Sequence, residues 1–169
     1  MKVLLIILSF GFLVFGQVNN LKVNGFVDIY YAYDFNKPAD MNRSYTTQPL
    51  RHNEFNLNLA TIGLTYSEEN VRGSFTIQTG TYVQSNFVAE PSLLKNIYEA
   101  SVGAKIGFVW VYAGIFPSHI GFEGIQSITN WTYSRSIAAD YSPYFETGVK
   151  VSTEMSNQVS AGVMILNGW

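Results

Sequence analysis

The chain has 169 residues, a formal net charge of −2, 13% charged and 15% aromatic residues, and no cysteine. The charged share is about half that of an ordinary soluble domain. A near-neutral balance gives no basic surface for nucleic acid, and the lack of cysteine excludes a disulfide framework, a thiol nucleophile and any cysteine-ligated metal centre.

The opening stretch, MKVLLIILSFGFLVFG, has one basic residue, Lys2, then an apolar run over residues 3–15, with the small Val14 and Gly16 ahead of Gln17. That is the pattern of a secretory signal peptide over residues 1–16. The run is short of the ~20 residues that a membrane-spanning helix needs. Residues 17–169 are then the exported domain.

The first strand candidate is LKVNGFVDIYYAYD, residues 21–34. Val23, Gly25, Val27, Ile29, Tyr31 and Tyr33 alternate with Lys22, Asn24, Phe26, Asp28, Tyr30, Ala32 and Asp34. One face is uncharged and the other carries every charge. Residues 54–66 start with Phe55, Leu57 and Leu59 in phase, then slip to Ile62, Leu64 and Tyr66. A bulge near Ala60 or a locally apolar interior accounts for the slip equally well. Residues 71–82 set Val71, Phe75 and Ile77 against Arg72, Ser74, Thr76 and Gln78. Residues 97–106 set Tyr98, Ala100, Val102 and Ala104 against Glu99, Ser101 and Lys105. Residues 108–116 are apolar on both sides. Residues 144–152 set Phe145, Val149 and Val151 against Glu146, Lys150 and Ser152. Residues 159–169 carry Val159, Ala161, Val163 and Ile165 in phase.

These seven candidates share one rule. Asp28, Glu54, Arg72, Glu99, Lys105, Glu146 and Lys150 all fall opposite the apolar set. Lipid enforces such segregation, since an Arg or Lys facing the bilayer midplane costs ~2–4 kcal/mol, but a soluble sandwich also keeps charge out of its core. The connections discriminate better. A long loop (35–53) is followed by a tight turn (67–70), a longer loop (83–96), a reversal at Gly107, the longest loop (117–143) and another tight turn (153–156). Short turns on one rim and long loops on the other fit an antiparallel up-and-down transmembrane β-barrel. Tyr31, Tyr33, Tyr98, Phe116 and Phe145 near the long-loop rim, with Tyr66, Phe108 and Trp110 near the short-turn rim, fit two interfacial aromatic belts.

Six stretches carry a family resemblance: YDFNKPAD (33–40), RHNEFNLNLA (51–60), AEPSLLKNIYEASVG (89–103), AGIFPSHIGFE (113–123), NWTYSRS (130–136) and SPYFETGVKVS (142–152). In this order they resemble the OmpL-like outer-membrane β-barrel porins, over about residues 21–162. The resemblance implies an outer-membrane barrel of a Gram-negative bacterium and passive diffusion of small hydrophilic solutes. It supplies no catalytic residue and implies no cofactor. Members of the family are about twice as long. Seven strands is also an odd number, whereas single-chain bacterial barrels have even numbers, and open edges in lipid leave backbone groups unpaired at several kcal/mol each. The expectation is therefore part of a larger barrel, completed by further chain, by a strand hidden around residues 125–136, or by other copies in a homo-oligomer.

Under this reading Asp28, Glu54, Arg72, Glu99, Lys105, Glu146 and Lys150 line the lumen, a mixed field of four acids and three bases that favours modest selectivity. By analogy of loop order with trimeric porins, the third long loop, with His119, Glu123, Arg135 and Asp140, narrows it. His52 and His119 are the only histidines. Both are expected to be solvated loop residues rather than metal ligands with Glu54 or Glu123. Ser118 beside His119 does not make a hydrolytic triad by adjacency. The other classes in play are a plugged structural or adhesive barrel, a barrel enzyme, and a soluble barrel with its faces inverted around an apolar ligand.

Overall fold

The computed structural model of the chain describes residues 7–46 and 48–167, with backbone only for residues 7–15, 17 and 18. Eight antiparallel strands form one sheet in sequential order. They are β1 (Ile7–Val18), β2 (Leu21–Ala32), β3 (Phe55–Ser67), β4 (Val71–Thr79), β5 (Ile97–Ile106), β6 (Val109–Pro117), β7 (Phe145–Glu154) and β8 (Ser160–Leu166). Among the described residues no ladder joins β1 to β8, so the sheet is open. β2 to β8 are the seven strands expected from alternation. β1 is additional, lies on the segment that reads as a leader, and pairs along β2 from Ile7↔Ala32 to Val18↔Leu21. Residues 168 and 169, at the end of the last expected strand, lie outside the described residues.

The two faces of the sheet are those of a wall with its apolar side outward. Val27, Ile29, Ile62, Leu64, Val71, Phe75, Ile77, Val102, Val149, Val151, Val163 and Ile165 are exposed. Asp28, Asn58, Thr61, Thr76, Gln78 and Glu146 are buried on the concave side. A soluble barrel buries the first set and wets the second; this chain does the reverse, which disposes of the inverted-face alternative.

The phase slip in β3 is a bulge. Asp28 pairs with Leu59 but Ile29 pairs with Leu57, leaving Asn58 as the extra residue. Phe55 is exposed before the bulge, and Ile62 and Leu64 are exposed after it. Leu59, expected on the lipid side, turns inward and is fully buried. A second bulge leaves Tyr98 unpaired between Glu99, opposite Thr76, and Ile97, opposite Ile77. Tyr98 therefore packs on the interior cluster of Phe26, Leu59, Tyr82, Val83, Phe87 and Ile125 instead of joining a belt. Trp110 and Phe116 are also buried on the inner phase of β6 rather than facing lipid. Tyr31, Phe55, Tyr66 and Phe108 remain at the outer rims, Tyr31 and Phe55 as a cross-strand aromatic pair 5.3 Å apart.

β4 stops at Thr79, short of the expected Tyr82, because Gly80 has φ +132°. A side chain at that position would collide with the carbonyl of Asn58 at the bulge, and an L-residue resists that φ. The chain swings inward there into α1 (Thr81–Asn86), carrying Tyr82 and Val83 into the interior. The short rim is built from tight reversals: Asn19 at φ +51° between β1 and β2, Gly107 at φ +62° between β5 and β6, and the Met155–Val159 turn closed by two backbone bonds. Positive φ is what a two-residue hairpin turn demands.

Phe75 lies mid-strand on the outer face and is 48% exposed. Phe75→Arg is expected to destabilise the bilayer-inserted protein by about 2–4 kcal/mol, read by denaturant titration in liposomes. The inner-face Thr76→Ser, one residue away, is expected to change stability by less than about 1 kcal/mol.

Candidate functional site: a lumen partly filled by its loops

Alternation aims polar side chains at the concave face, and two connections fold down onto it. One is α1. The other is the long segment between β6 and β7, with a 3-10 turn at Ser127–Thr129 and a short helix, α2 (Ile137–Asp140). The contact point on the wall is Asp28, only 1% exposed. Its Oδ2 accepts from Asn58 Nδ2 at 2.8 Å and from Ser127 Oγ at 3.2 Å, and its Oδ1 accepts from Tyr133 OH at 3.2 Å. A buried carboxylate must be compensated by donors; here one comes from the bulge and two from the loop. Gln126 Nε2 donates to Thr61 Oγ1 at 3.2 Å, and Gln48 Nε2, from the first long loop, donates to the Ile125 carbonyl at 3.2 Å. The loops are thus fastened to β2 and β3 and to each other.

Arg135, 8% exposed, is the second anchor. Its Nη1 donates to Tyr82 OH at 3.0 Å and its Nη2 to the Ala139 carbonyl at 2.6 Å, while its guanidinium lies 5.2 Å from the Tyr144 ring centroid. Asp140 Oδ1 is 4.0 Å from its Nε. Glu123 receives the Ser136 N–H at 3.1 Å and also the Ser136 hydroxyl, which pins the loop ahead of α2. His119 reaches back to the wall, with Nδ1 2.7 Å from Glu146 Oε2.

The other predicted wall residues divide. Glu54 is not in the wall: it precedes β3 at the loop rim and pairs with Arg51, Nε to Oε1 at 2.8 Å. That hydrogen bond holds its carboxyl below the usual carboxylate range. Glu99 accepts from Ser101 Oγ at 3.4 Å. Lys105 is exposed near the short-turn rim. Arg72 and Lys150 face a hollow of about 670 Å³ between β4 and β8. His52, expected to be solvated, is instead buried: its Nδ1 accepts the Asp34 N–H at 2.8 Å and its ring packs 5.0 Å from Tyr33.

Sequence reasoning missed Asn58, Tyr82, Ser127 and Tyr133, which make the loop contacts, and the inner aromatics Trp110 and Tyr112. The signal for the last two was present, since residues 108–116 are apolar in both phases and a lumen wall can hold aromatics. No linear pattern marks the others.

The family described as "Putative beta-barrel porin-2, OmpL-like" matches residues 20–169. Neither a curated protein nor a solved structure matches the chain.

Burial, and next the negative charge of Asp28, push the Tyr133 phenol well above its ordinary value. A group with a raised folded-state value contributes stability that is intact below its unfolded value, about 10, and is lost as pH rises past it. The loop is therefore expected to stay docked through neutral pH and to loosen in alkali. Absorbance titration of tyrosinate is the readout, with Asp28→Asn expected to bring the Tyr133 transition down towards 10.

Proposed function

The chain belongs to the OmpL-like β-barrel porin family of the outer membrane, and on that premise we propose that it forms wall and constriction of a passive diffusion channel for small hydrophilic solutes. The observation that carries this is the inversion of its faces. An apolar surface faces out, while Arg72, Lys150, Ser152 and Gly162 line an unfilled hollow on the concave side. The partners implied are outer-membrane lipid and the permeating solute. The sheet closes with strands from this chain or from further copies in a homo-oligomer.

The third long loop is the constriction. Its bonds to Asp28, Thr61 and Tyr82 fix how far it stands into the lumen, with Arg135 and Glu123 holding its shape. A plugged structural barrel is the second reading, favoured by the same buried contacts of Asp28.

Single-channel recording in planar bilayers separates the two readings: stable current steps mark a pore, and silence from inserted, heat-modifiable protein marks a plug. In a pore, Arg135→Ala and Glu123→Ala are expected to raise conductance by loosening the loop. Unchanged conductance in both removes the constriction role.

The Gram-negative origin and the removal of residues 1–16 belong to the same proposal. Intact-mass measurement of protein extracted from outer membranes is expected to give a chain starting at Gln17. A mass that retains residues 1–16 makes β1 a permanent strand of the wall.

A further inference from the structure

The concave face is divided between a half covered by the loops and an open half. The loops cover Asp28, Asn58 and Thr61 on β2 and β3, whereas the stretch from β4 to β8 stays open. Across that open stretch one row of the sheet runs Arg72↔Gly103↔Tyr112↔Lys150 in direct register. Tyr112 lies over Gly103, where any side chain would meet its ring. That opening lets Tyr112 reach Arg72, whose Nη1 donates to its hydroxyl at 3.3 Å. The Arg72 guanidinium stacks 4.0 Å from the ring centroid of Trp110, and Lys150 Nζ lies 5.8 Å from that of Tyr112. The Trp110 and Tyr112 rings stack 5.8 Å apart with 25° between their planes.

Cations resting on aromatic faces are held in place without being neutralised. Among the described residues neither Arg72 nor Lys150 forms an ion pair with a carboxylate, and Arg72 Nε is buried without a hydrogen-bond partner. Of the acids nearby, Glu146 bonds His119, Glu99 bonds Ser101 and feels the charge of Lys150 without a direct ion pair, and Glu154 stands at the margin of the hollow. With Nε buried and one Nη1 hydrogen given to Tyr112, the stacked guanidinium keeps its Nη1/Nη2 end for a planar anion, a fork that carboxylate recognition uses. The flanking rings suit a flat solute body.

We propose that Arg72, Tyr112 and Lys150, with Trp110 beside them, form a binding site on the open wall for small carboxylates attached to a ring. This deepens the channel reading and rests on it only for how the solute arrives. Binding itself is independent of current.

The test is calorimetric titration of the full chain, folded in detergent micelles, with four probes: sodium benzoate, sodium glucuronate, sodium acetate and benzyl alcohol. Saturable binding of benzoate or glucuronate is expected, with acetate weaker and benzyl alcohol not bound. Preference for benzoate assigns aromatic acids, and preference for glucuronate assigns acidic sugars. Lys150→Gln, at a side chain with no buried partner, is expected to weaken binding about tenfold. Tyr112→Leu, with heat-modifiability as the check on folding, is expected to weaken it further. The site is overturned if neither ring acid binds, if benzyl alcohol binds as tightly as benzoate, or if Lys150→Gln leaves the affinity unchanged. Channel current without ring-acid binding removes this site and leaves the channel standing; binding without current does the opposite.

Discussion

In the hydrocarbon of a bilayer an unpaired peptide N–H or C=O costs several kcal/mol, so a β-wall there must satisfy its backbone by strand pairing and send its side chains to two different solvents. Both demands are visible in this chain. Each strand from β2 to β7 is flanked on both sides, and neighbours in sequence are neighbours in the sheet. Because pairing fixes direction, alternation fixes face. Phe75 must look out if Arg72 and Thr76 look in. The two bulges adjust this rule locally. At Asn58 and at Tyr98 one extra residue re-aims a side chain inward, and both positions lie beneath the loops that need support.

That placement explains why the interior holds a small apolar cluster inside a polar wall. Leu59 and Tyr98, brought inward at the bulges, meet Tyr82, Val83 and Phe87 from the connection after β4 and Ile125 from the loop after β6. Loops entering a lumen must bury backbone, and buried backbone polar groups need partners. The side chains of Gln48, Gln78, Thr81 and Arg135 supply such partners by bonding to main-chain carbonyls. The inward-folded loops are therefore an extension of the wall, joined to it by the Asp28 carboxylate.

The strands were legible in the sequence because their period is two and their medium is unforgiving. The rhythm of short and long connections was legible because hairpin turns and surface loops differ in length and composition. Belt membership was read from position along a strand alone, and this failed at Tyr98, Trp110 and Phe116, where the face decides. For Tyr98 the face depends on a bulge, and a bulge is a property of two strands in register. The inward course of the third loop depends on Ser127 and Tyr133 meeting Asp28, roughly a hundred residues earlier in the chain, and no local pattern encodes that meeting. His52 was misjudged for a similar reason, since its burial comes from Asp34 and Tyr33 on the far side of a loop.

The first strand poses the remaining physical question. β2 to β8 each have, or share with a neighbour, a polar phase that suits a wet lumen. Residues 7–16 have none: apart from Ser9, both phases are apolar or glycine. Backbone pairing with β2 is possible for any sequence without proline, so the β1–β2 ladder by itself says little about which solvent the segment prefers. A wall strand that is apolar on both faces sets hydrocarbon against the water of the lumen, at roughly 0.8 kcal/mol for each exposed methylene. That penalty weighs against β1 as a lumen-lining strand; its outer edge, like the far edge of β8, is free among the described residues. Two free edges in lipid are untenable, and every other strand of this sheet has found an antiparallel neighbour. Pairing of those edges is what the backbone of a membrane-embedded sheet requires.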